Sequence, residues 1–503
     1  MRYSLLIVAL LFVASCDQEI KQPKQDNIAI GANGQKLDSV LVPYINELLK
    51  LTDNHAGLAI GVTKGDQTIF AHCFGYANIE QQKKVDFNTA FHIASVSKPF
   101  VAFAITKLIA QKKLTLDDKI IDLIPEFEMT GSGYELITVK HILTHTSGIP
   151  ANISPDDWTK PSFGNTAMDE NLENIKTHTQ LFEPGTKYSY SNSAFDILGV
   201  VISRVSGVPF SDFVKNEILV PAGMNHTSYK KQDDSIASNW AMSYSYGLET
   251  QEWQPYPYNE KLFPSSGIVS SLTDMLTWTK MHIRKGTHNG NTILEEEYFN
   301  LLTTPHYNTP WNDEIGLSWF LQSYLEKPIV MHQGQDTGFE SIVYLYPEND
   351  VSIVVMANRD FARTGRIINA VSEILFDTVP KTYSVSAKYK FTEAYKTGGI
   401  DQAIATWNEL EKDTTDIYFS DNDDILTTGA ILENGGYWKE TKEVLEFYNT
   451  IHEQSTYAQR LLGNAFLNLG DTTSALSHYE KCLEINPNYE KARLAIDQLK
   501  NER

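Results

Sequence analysis

The chain has 503 residues, of which 42% are hydrophobic and 11% aromatic, so it is globular, with room for two or three domains and a large core. Sixty-three acidic side chains oppose 42 basic ones, for a net charge of -21, and no basic stripe stands out, which argues against nucleic-acid binding. The three cysteines, Cys16, Cys73 and Cys482, are too few and too scattered for a disulfide framework.

At the N-terminus, Arg2 precedes the apolar run from Leu5 to Val13 and then Val13-Ala14-Ser15-Cys16. The run is too short to span a bilayer and has the form of a signal peptide. Small residues before a cysteine resemble the lipobox of bacterial lipoproteins. That resemblance implies cleavage before Cys16, lipidation of Cys16, and attachment to the membrane through that lipid only. Residues 1–16 are then the signal peptide and 17–35 a flexible tether. The protein is expected in the bacterial cell envelope, facing the periplasm or the outside. A plain secretory signal with an incidental cysteine is the alternative reading.

Leu58 to Ala77 reads as a strand, a turn at Lys64-Gly65-Asp66 and a second strand. Next comes Phe91-His92-Ile93-Ala94-Ser95-Val96-Ser97-Lys98-Pro99-Phe100. Beyond Ser95, apolar residues at Phe100, Val101, Phe103, Ala104, Ile105, Leu108 and Ile109 have the period of a nearly buried helix. Pro99 is tolerated only near a helix start, so Ser95 sits at the N-terminus. Ser95 and Lys98 then share a face, and a lysine depressed by burial can serve a serine nucleophile as base. The helix dipole and unpaired N–H groups there suit an oxyanion. The bland reading is an ordinary N-cap serine and a solvated lysine. A second serine-lysine pair, Ser228 and Lys231, lies in a polar turn-like stretch with no apolar helix behind it and is set aside.

His141 and His145 are four apart, but no glutamate follows His141, so the zinc-protease pattern fails and they read as helix-end or loop histidines. Leu143 to Pro150 is a turn signal before a long polar loop. Within Pro184 to Ser193, Tyr190-Ser191-Asn192 supplies a phenol and an amide. Near a lysine cation the Tyr190 hydroxyl would lose its proton more easily, and Asn192 could hold Lys98 and a substrate carbonyl. Lys327 to Met331, Glu340 to Tyr346 and Val351 to Ala357 are strand-like, with a turn at Pro347 to Asp350. His332-Gln333-Gly334-Gln335 ends the first of these, where Gly334 would let a substrate backbone come close. How these strands pair with the early ones cannot be read from periodicity.

After about Pro380 strand patterns vanish. Gly463, Phe466, Gly470, Ala475, Tyr479 and Pro487 resemble one tetratricopeptide repeat. Gly429, Leu432, Gly436 and Leu445 keep the same register one repeat earlier, and Tyr395, Gly398, Ala403 and Trp407 suggest a third copy. An unrelated helical hairpin tail is the bland reading.

Taken together, Ala94-Ser95-Val96-Ser97-Lys98, Leu114-Thr115-Leu116-Asp117-Asp118, His145-Thr146-Ser147-Gly148, Tyr190-Ser191-Asn192 and Pro264-Ser265-Ser266-Gly267 closely resemble, in order and separation, the serine β-lactamase-related family. That family spans class C β-lactamases, penicillin-binding esterases and D-aminopeptidases. The likeness runs from about residue 40 to 376. It implies a fold of class α/β (α+β), an antiparallel sheet flanked by helices with a helical subdomain, in a hydrolase domain over 36–380; the separate likeness to tetratricopeptide repeats adds an all-α region over 386–500. It further implies that Ser95 is acylated, that Lys98 assists its deprotonation, and that Tyr190 is general base and acid. Asn192 would position Lys98 and substrate, His332 and Gly334 would bind substrate, and the amides of Ser95 and Gln335 would form the oxyanion hole. No metal or organic cofactor is implied.

One departure matters. The β-lactamases carry Lys-Thr-Gly where this chain has His332-Gln333-Gly334. Histidine titrates near neutrality, so anchoring of a substrate carboxylate is less assured. The His-x-Gly form is more similar to esterase and D-aminopeptidase members. The expected activity is a serine hydrolase of the cell envelope acting on an ester, or on an amide or peptide such as a D-amino-acid peptide; a D-Ala-D-Ala carboxypeptidase-like activity belongs to the same range. The rival is a non-catalytic or weakly catalytic penicillin-binding-like platform whose repeats recruit a protein or peptide partner, with a true β-lactamase behind both. The repeats present a binding groove or pack on the catalytic domain and shape its entrance.

Overall fold

The computed structural model describes residues 27–152, 161–164, 166–229, 239–253 and 258–501. Cys16 and the expected signal peptide lie outside them, as does Lys231. The expected tether ran to residue 35, but Ile28–Ala29 pairs with Phe70 and Ala71, and a helix starts at Gly31, so the folded unit already includes residues 28–35.

The strands of the N- and C-terminal halves join in one antiparallel sheet of nine strands. Its order is Ile28–Ala29, Gln67–Phe74, Leu58–Lys64, Val351–Ala357, Phe339–Tyr346, Lys327–Asp336, Phe320–Tyr324, Glu314–Ile315 and Tyr307–Asn308. The pairing that periodicity left open is Leu58–Lys64 against Val351–Ala357, with Ile60 opposite Val355. The early hairpin turns at Gly65 (φ 58), and the late one through Pro347–Asn349 to Asp350 (φ 56). His332 to Gln335 lie inside Lys327–Asp336 rather than at its end.

Alternation along the strands explains the layers. Ile60, Val62, Ile342, Ile353 and Val355 face helices Gly31–Leu51 and Thr364–Leu375. Helix Gly31–Leu51 buries Gly34, Leu37, Leu41, Ile45 and Leu48, a stripe at the helical period. Ala59, Val343, Val354 and Met356 face the second layer, which holds helices Lys98–Ala110 and Leu272–Ile283. With both faces covered, every residue of Val351–Ala357 is buried. Lys98–Ala110 is buried on nearly all sides, as its apolar run predicts, with Phe100 stacked 3.8 Å from Trp278. A helical subdomain including Asn192–Ser206 packs on the same layer. The α+β class expected from the family likeness is the architecture observed.

The C-terminal region is helical pairs. Helix Lys388–Leu410 breaks at Gly399 (φ 74), making the first pair. Asn422–Asn434 with Trp438–Ile451 and Thr456–Asn468 with Thr472–Ile485 are the second and third, and Glu490–Asn501 follows. Glycines set the approach: a Cβ on Gly463 would overlap the Tyr479 ring, and one on Gly429 would overlap Leu445. The region packs on the domain that carries the nine-stranded sheet. Leu248 joins its core, Tyr246 Oη and Thr392 Oγ1 lie 2.8 Å apart, and Gln251 donates to the Ile431 carbonyl. Cys73 and Cys482 are both buried, one in each domain. Among the described residues no single helix is long and apolar enough to cross a membrane.

Candidate active site

The chain enters the site through Phe91–His92, turns at Ala94 (φ 49), and forms a 3-10 turn, Ala94–Ser97, that runs into helix Lys98–Ala110. Ser95 is therefore one turn ahead of the α-helix, with Pro99 in that helix's first turn as required. An alanine at positive φ is a strained position that surrounding contacts must impose. Those contacts are here: Ser341 Oγ donates to the Ile93 carbonyl at 2.6 Å, and the Ile268 amide donates to Ser97 Oγ at 3.0 Å.

Lys98 is fully buried, which removes the solvated-lysine reading. Its Nζ lies 3.0 Å from Ser95 Oγ and donates to the Ser265 carbonyl at 2.8 Å. The expected bond from Asn192 is not made: Asn192 Nδ2 donates to Asn152 instead, and its buried Oδ1 has no partner. The Pro264–Gly267 segment takes that task, because Asp196 Oδ1 accepts the Ser265 amide and so fixes the carbonyl that holds Lys98. Burial pulls Lys98 down to about 7, against the attraction of Asp196 and Asp336.

Tyr190 reaches the same point from the other side, its ring centroid 4.9 Å from Lys98 Nζ. Ser191 caps helix Asn192–Ser206 by accepting the Ala194 amide, which leaves its neighbours Tyr190 and Asn192 to border the cleft. The phenol does not ionise easily. Burial raises it above its ordinary range, and the Ser95 hydroxyl beside it opposes that only in part. The expectation that Lys98 would ease its deprotonation fails because desolvation dominates.

His145, expected to be a helix-end or loop histidine, is fully buried against Tyr190, the rings 4.2 Å apart. Its carbonyl accepts the Ser189 amide at 2.8 Å and its Nδ1 accepts the Ser191 amide at 3.1 Å, so one residue brackets Tyr190. Because Nδ1 is an acceptor, the ring proton is on Nε2. His141 is spent on the capping box at Thr138.

His332 is 1% exposed, and burial, helped by the nearby Lys98 charge, lowers it to about 3. It is neutral at physiological pH, not poised near it, because the ordinary value does not count burial. Gly334 has a reason internal to the fold: a Cβ there would overlap the Ile93 carbonyl and lie 2.9 Å from the Ser95 amide. The strand can approach Ser95 this closely only with glycine at that point. Asp336, on the same strand, is buried and raised to about 7, chiefly by desolvation.

Ser95, Tyr190, Asn192, His332, Gly334 and Gln335 line one cleft of about 1000 Å³. Tyr188 and Trp311 meet edge-on at 5.6 Å beside it, with Trp311 66% exposed. Sequence reasoning missed Asp196, the Ser265 carbonyl and Asp336. An aspartate inside the apolar run Ala194-Phe195-Asp196-Ile197-Leu198 was a usable signal for the first; a carbonyl has no side-chain signature. Among the described residues, no group of three His, Cys, Asp or Glu is placed to hold a metal ion.

Known families match the two parts of the chain separately. Residues 44–373 match the beta-lactamase family and residues 457–489 a tetratricopeptide repeat. Protein flp of Staphylococcus aureus (strain MRSA252) is 28% identical over 303 residues, covering 60% of this chain and 59% of that protein's length. A penicillin-binding protein of Bacillus subtilis (strain 168) is 26% identical over 334 residues, covering 62% of this chain and 71% of its own. Among solved structures, the octameric penicillin-binding protein homologue from Pyrococcus abyssi superposes with a TM-score of 0.60 at 26% identity, covering 68% of this chain and 77% of that one.

Proposed function

The chain belongs to the beta-lactamase family of penicillin-binding-like serine hydrolases, and from that premise we propose that it is an acyl-enzyme hydrolase of the cell envelope with Ser95 as nucleophile. The observation that carries this reading is Lys98: a fully buried amine, brought down to about 7, 3.0 Å from Ser95 Oγ.

In the proposed cycle the neutral Lys98 amine takes the Ser95 proton as Oγ attacks the substrate carbonyl carbon. The oxyanion rests on the amides of Ser95 and Gln335. Tyr190, protonated at rest, gives its proton to the leaving group and is reprotonated by the Lys98 ammonium. Water then attacks the ester on Ser95, and the protons return by the same two side chains. Asn192, whose Oδ1 has no partner, is free to bind a substrate N–H.

The substrate is an ester or an amide, with a D-amino-acid peptide in range. A cleft of about 1000 Å³ accommodates a short peptide. Rapid β-lactam hydrolysis ranks behind these, because neutral His332 brings no cation to a substrate carboxylate where the β-lactamases have lysine. Envelope location is supported by the apolar run from Leu5 to Val13 ahead of Cys16, and lipidation of Cys16 is part of the proposal. The repeats are proposed to offer a protein or peptide a surface on the side away from the catalytic domain.

Turnover of p-nitrophenyl acetate, a D-alanyl amide, a D-Ala-D-Ala peptide and a chromogenic cephalosporin by wild type and Ser95→Ala tests this reading. Ester or amide turnover that disappears in Ser95→Ala, with slow cephalosporin turnover, is expected. Equal rates for the two proteins would refute the nucleophile, and fast cephalosporin turnover would refute the substrate class.

A further inference from the structure

One part of the cleft wall is the turn from Arg359 to Thr364, in which Phe361 (φ 61) and Arg363 (φ 63) both border the cleft. Two non-glycine residues at positive φ with a single residue between them need outside contacts to hold them. Both domains supply them. On the hydrolase-domain side Asp360 accepts the Gly338 amide at 2.8 Å and the Trp253 indole at 2.9 Å, Glu340 accepts the amides of Ala362 and Thr364, and Arg359 donates to the Thr52 and Asp53 carbonyls and lies over Tyr246 at 4.6 Å. On the C-terminal side Arg363 lies over Phe419 at 4.9 Å and donates to the Ser384 carbonyl, and Phe361 receives the Lys388 ammonium 3.5 Å from its ring centroid.

We propose that Lys388, in the first helix of the repeat region, is a positioning residue for the catalytic cleft: its buried ammonium holds Phe361, and with it the strained turn that carries Arg363, in the cleft wall. The functional half of this inference rests on the hydrolase reading above; the structural half does not.

Lys388 is 1% exposed and pairs with Asp424 of helix Asn422–Asn434 at 3.6 Å. A buried ion pair is weak support for stability, since apolar side chains of like volume do as well or better. What an ammonium adds here is direction: attraction to one face of one ring. Lys388 touches no substrate. Its effect reaches the chemistry only through the wall, so it should act on the binding of substrates that extend to Phe361 and leave a small reagent at Ser95 unaffected.

The test uses the full chain carrying Lys388→Met, which keeps length and burial without charge, and Lys388→Arg, which keeps the cation. Three readouts are taken: amide hydrogen exchange at 359–364, KM and kcat for the largest substrate turned over, and the rate at which a small fluorophosphonate labels Ser95. Expected for Lys388→Met are faster exchange at 359–364 with 94–98 unchanged, a KM raised about tenfold with kcat and labelling within about twofold of wild type, and recovery of all three in Lys388→Arg. Wild-type exchange and KM in Lys388→Met would overturn the proposal, as would a joint fall of KM affinity, kcat and labelling with exchange raised throughout, which marks a folding residue. If wild type is never labelled, the hydrolase reading fails, and the exchange readout still decides whether Lys388 holds the wall.

Discussion

Replacing Lys98 by methionine should remove the pH dependence of Ser95 acylation together with most of its rate. Burial brings Lys98 from its ordinary 10.5 to about 7. A base titrating near 7 is about one-eleventh neutral at about pH 6 and ten-elevenths neutral at about pH 8, so acylation should rise about tenfold over that interval. His332, drawn to about 3, His145, well below its ordinary value, and Tyr190, raised by burial, cannot produce the step; Asp336 is raised to about 7, so the step is assigned to Lys98 only if it survives in Asp336→Asn and vanishes in Lys98→Met. Methionine fills the same volume but takes no proton, and the loss of a general base costs roughly 10²–10⁴ in rate. The assay is the pseudo-first-order rate of fluorophosphonate labelling at constant ionic strength. Asp336 favours the charged lysine, so Asp336→Asn should move the step to lower pH. The same shift has a stability sign. Between about 7 and 10.5 the unfolded lysine holds a proton that the native amine has lost, so this residue's contribution to stability rises with pH through that window and is absent in Lys98→Met. A flat wild-type profile, or a step that survives in Lys98→Met, would refute the reasoning.

Gly334→Ala should lower acylation by at least about a hundredfold while the protein stays folded, because its Cβ would push the strand off the Ile93 carbonyl and the Ser95 amide; wild-type labelling would contradict the approach described. His145→Phe keeps a ring against Tyr190 but leaves the Ser191 amide without its acceptor, so kcat should fall about tenfold with KM held, measured by steady-state kinetics. Gly463→Ala should destabilise the repeat region by roughly 1–3 kcal/mol in urea unfolding, since the added methyl must displace the Tyr479 ring.

The parts of the site that were legible in the sequence are those carried by local spacing. Ser95 and Lys98 meet because they are three apart at a helix start, and Pro99 fixes where that start is. Tyr190 and Asn192 border one cleft because Ser191 between them is a cap. The partner of Lys98 was assigned to Asn192, whereas the structure uses the Ser265 carbonyl, a main-chain group placed by contacts across 167 residues of sequence. Charge states failed for a related reason. The sequence reading gives His332 its ordinary value and lets the lysine cation ease Tyr190; burial, which only the tertiary fold creates, lowers the first and raises the second. In the fold, strands announced themselves by alternation, but alternation has no register, so the pairing of Leu58–Lys64 with Val351–Ala357 was invisible. Ile28–Ala29 is too short to show any period, which is why the tether was drawn past it. The glycine and aromatic positions of the repeats were readable because the packing they serve is between consecutive helices.

Intact-mass measurement of the full chain after incubation with a fluorophosphonate, followed by peptide mapping, is the most direct test of the account. It predicts a single covalent adduct on Ser95 of wild type and none on a folded Ser95→Ala protein. An adduct that persists in Ser95→Ala, or folded wild type that acquires none, would contradict the assignment of Ser95 as the nucleophile.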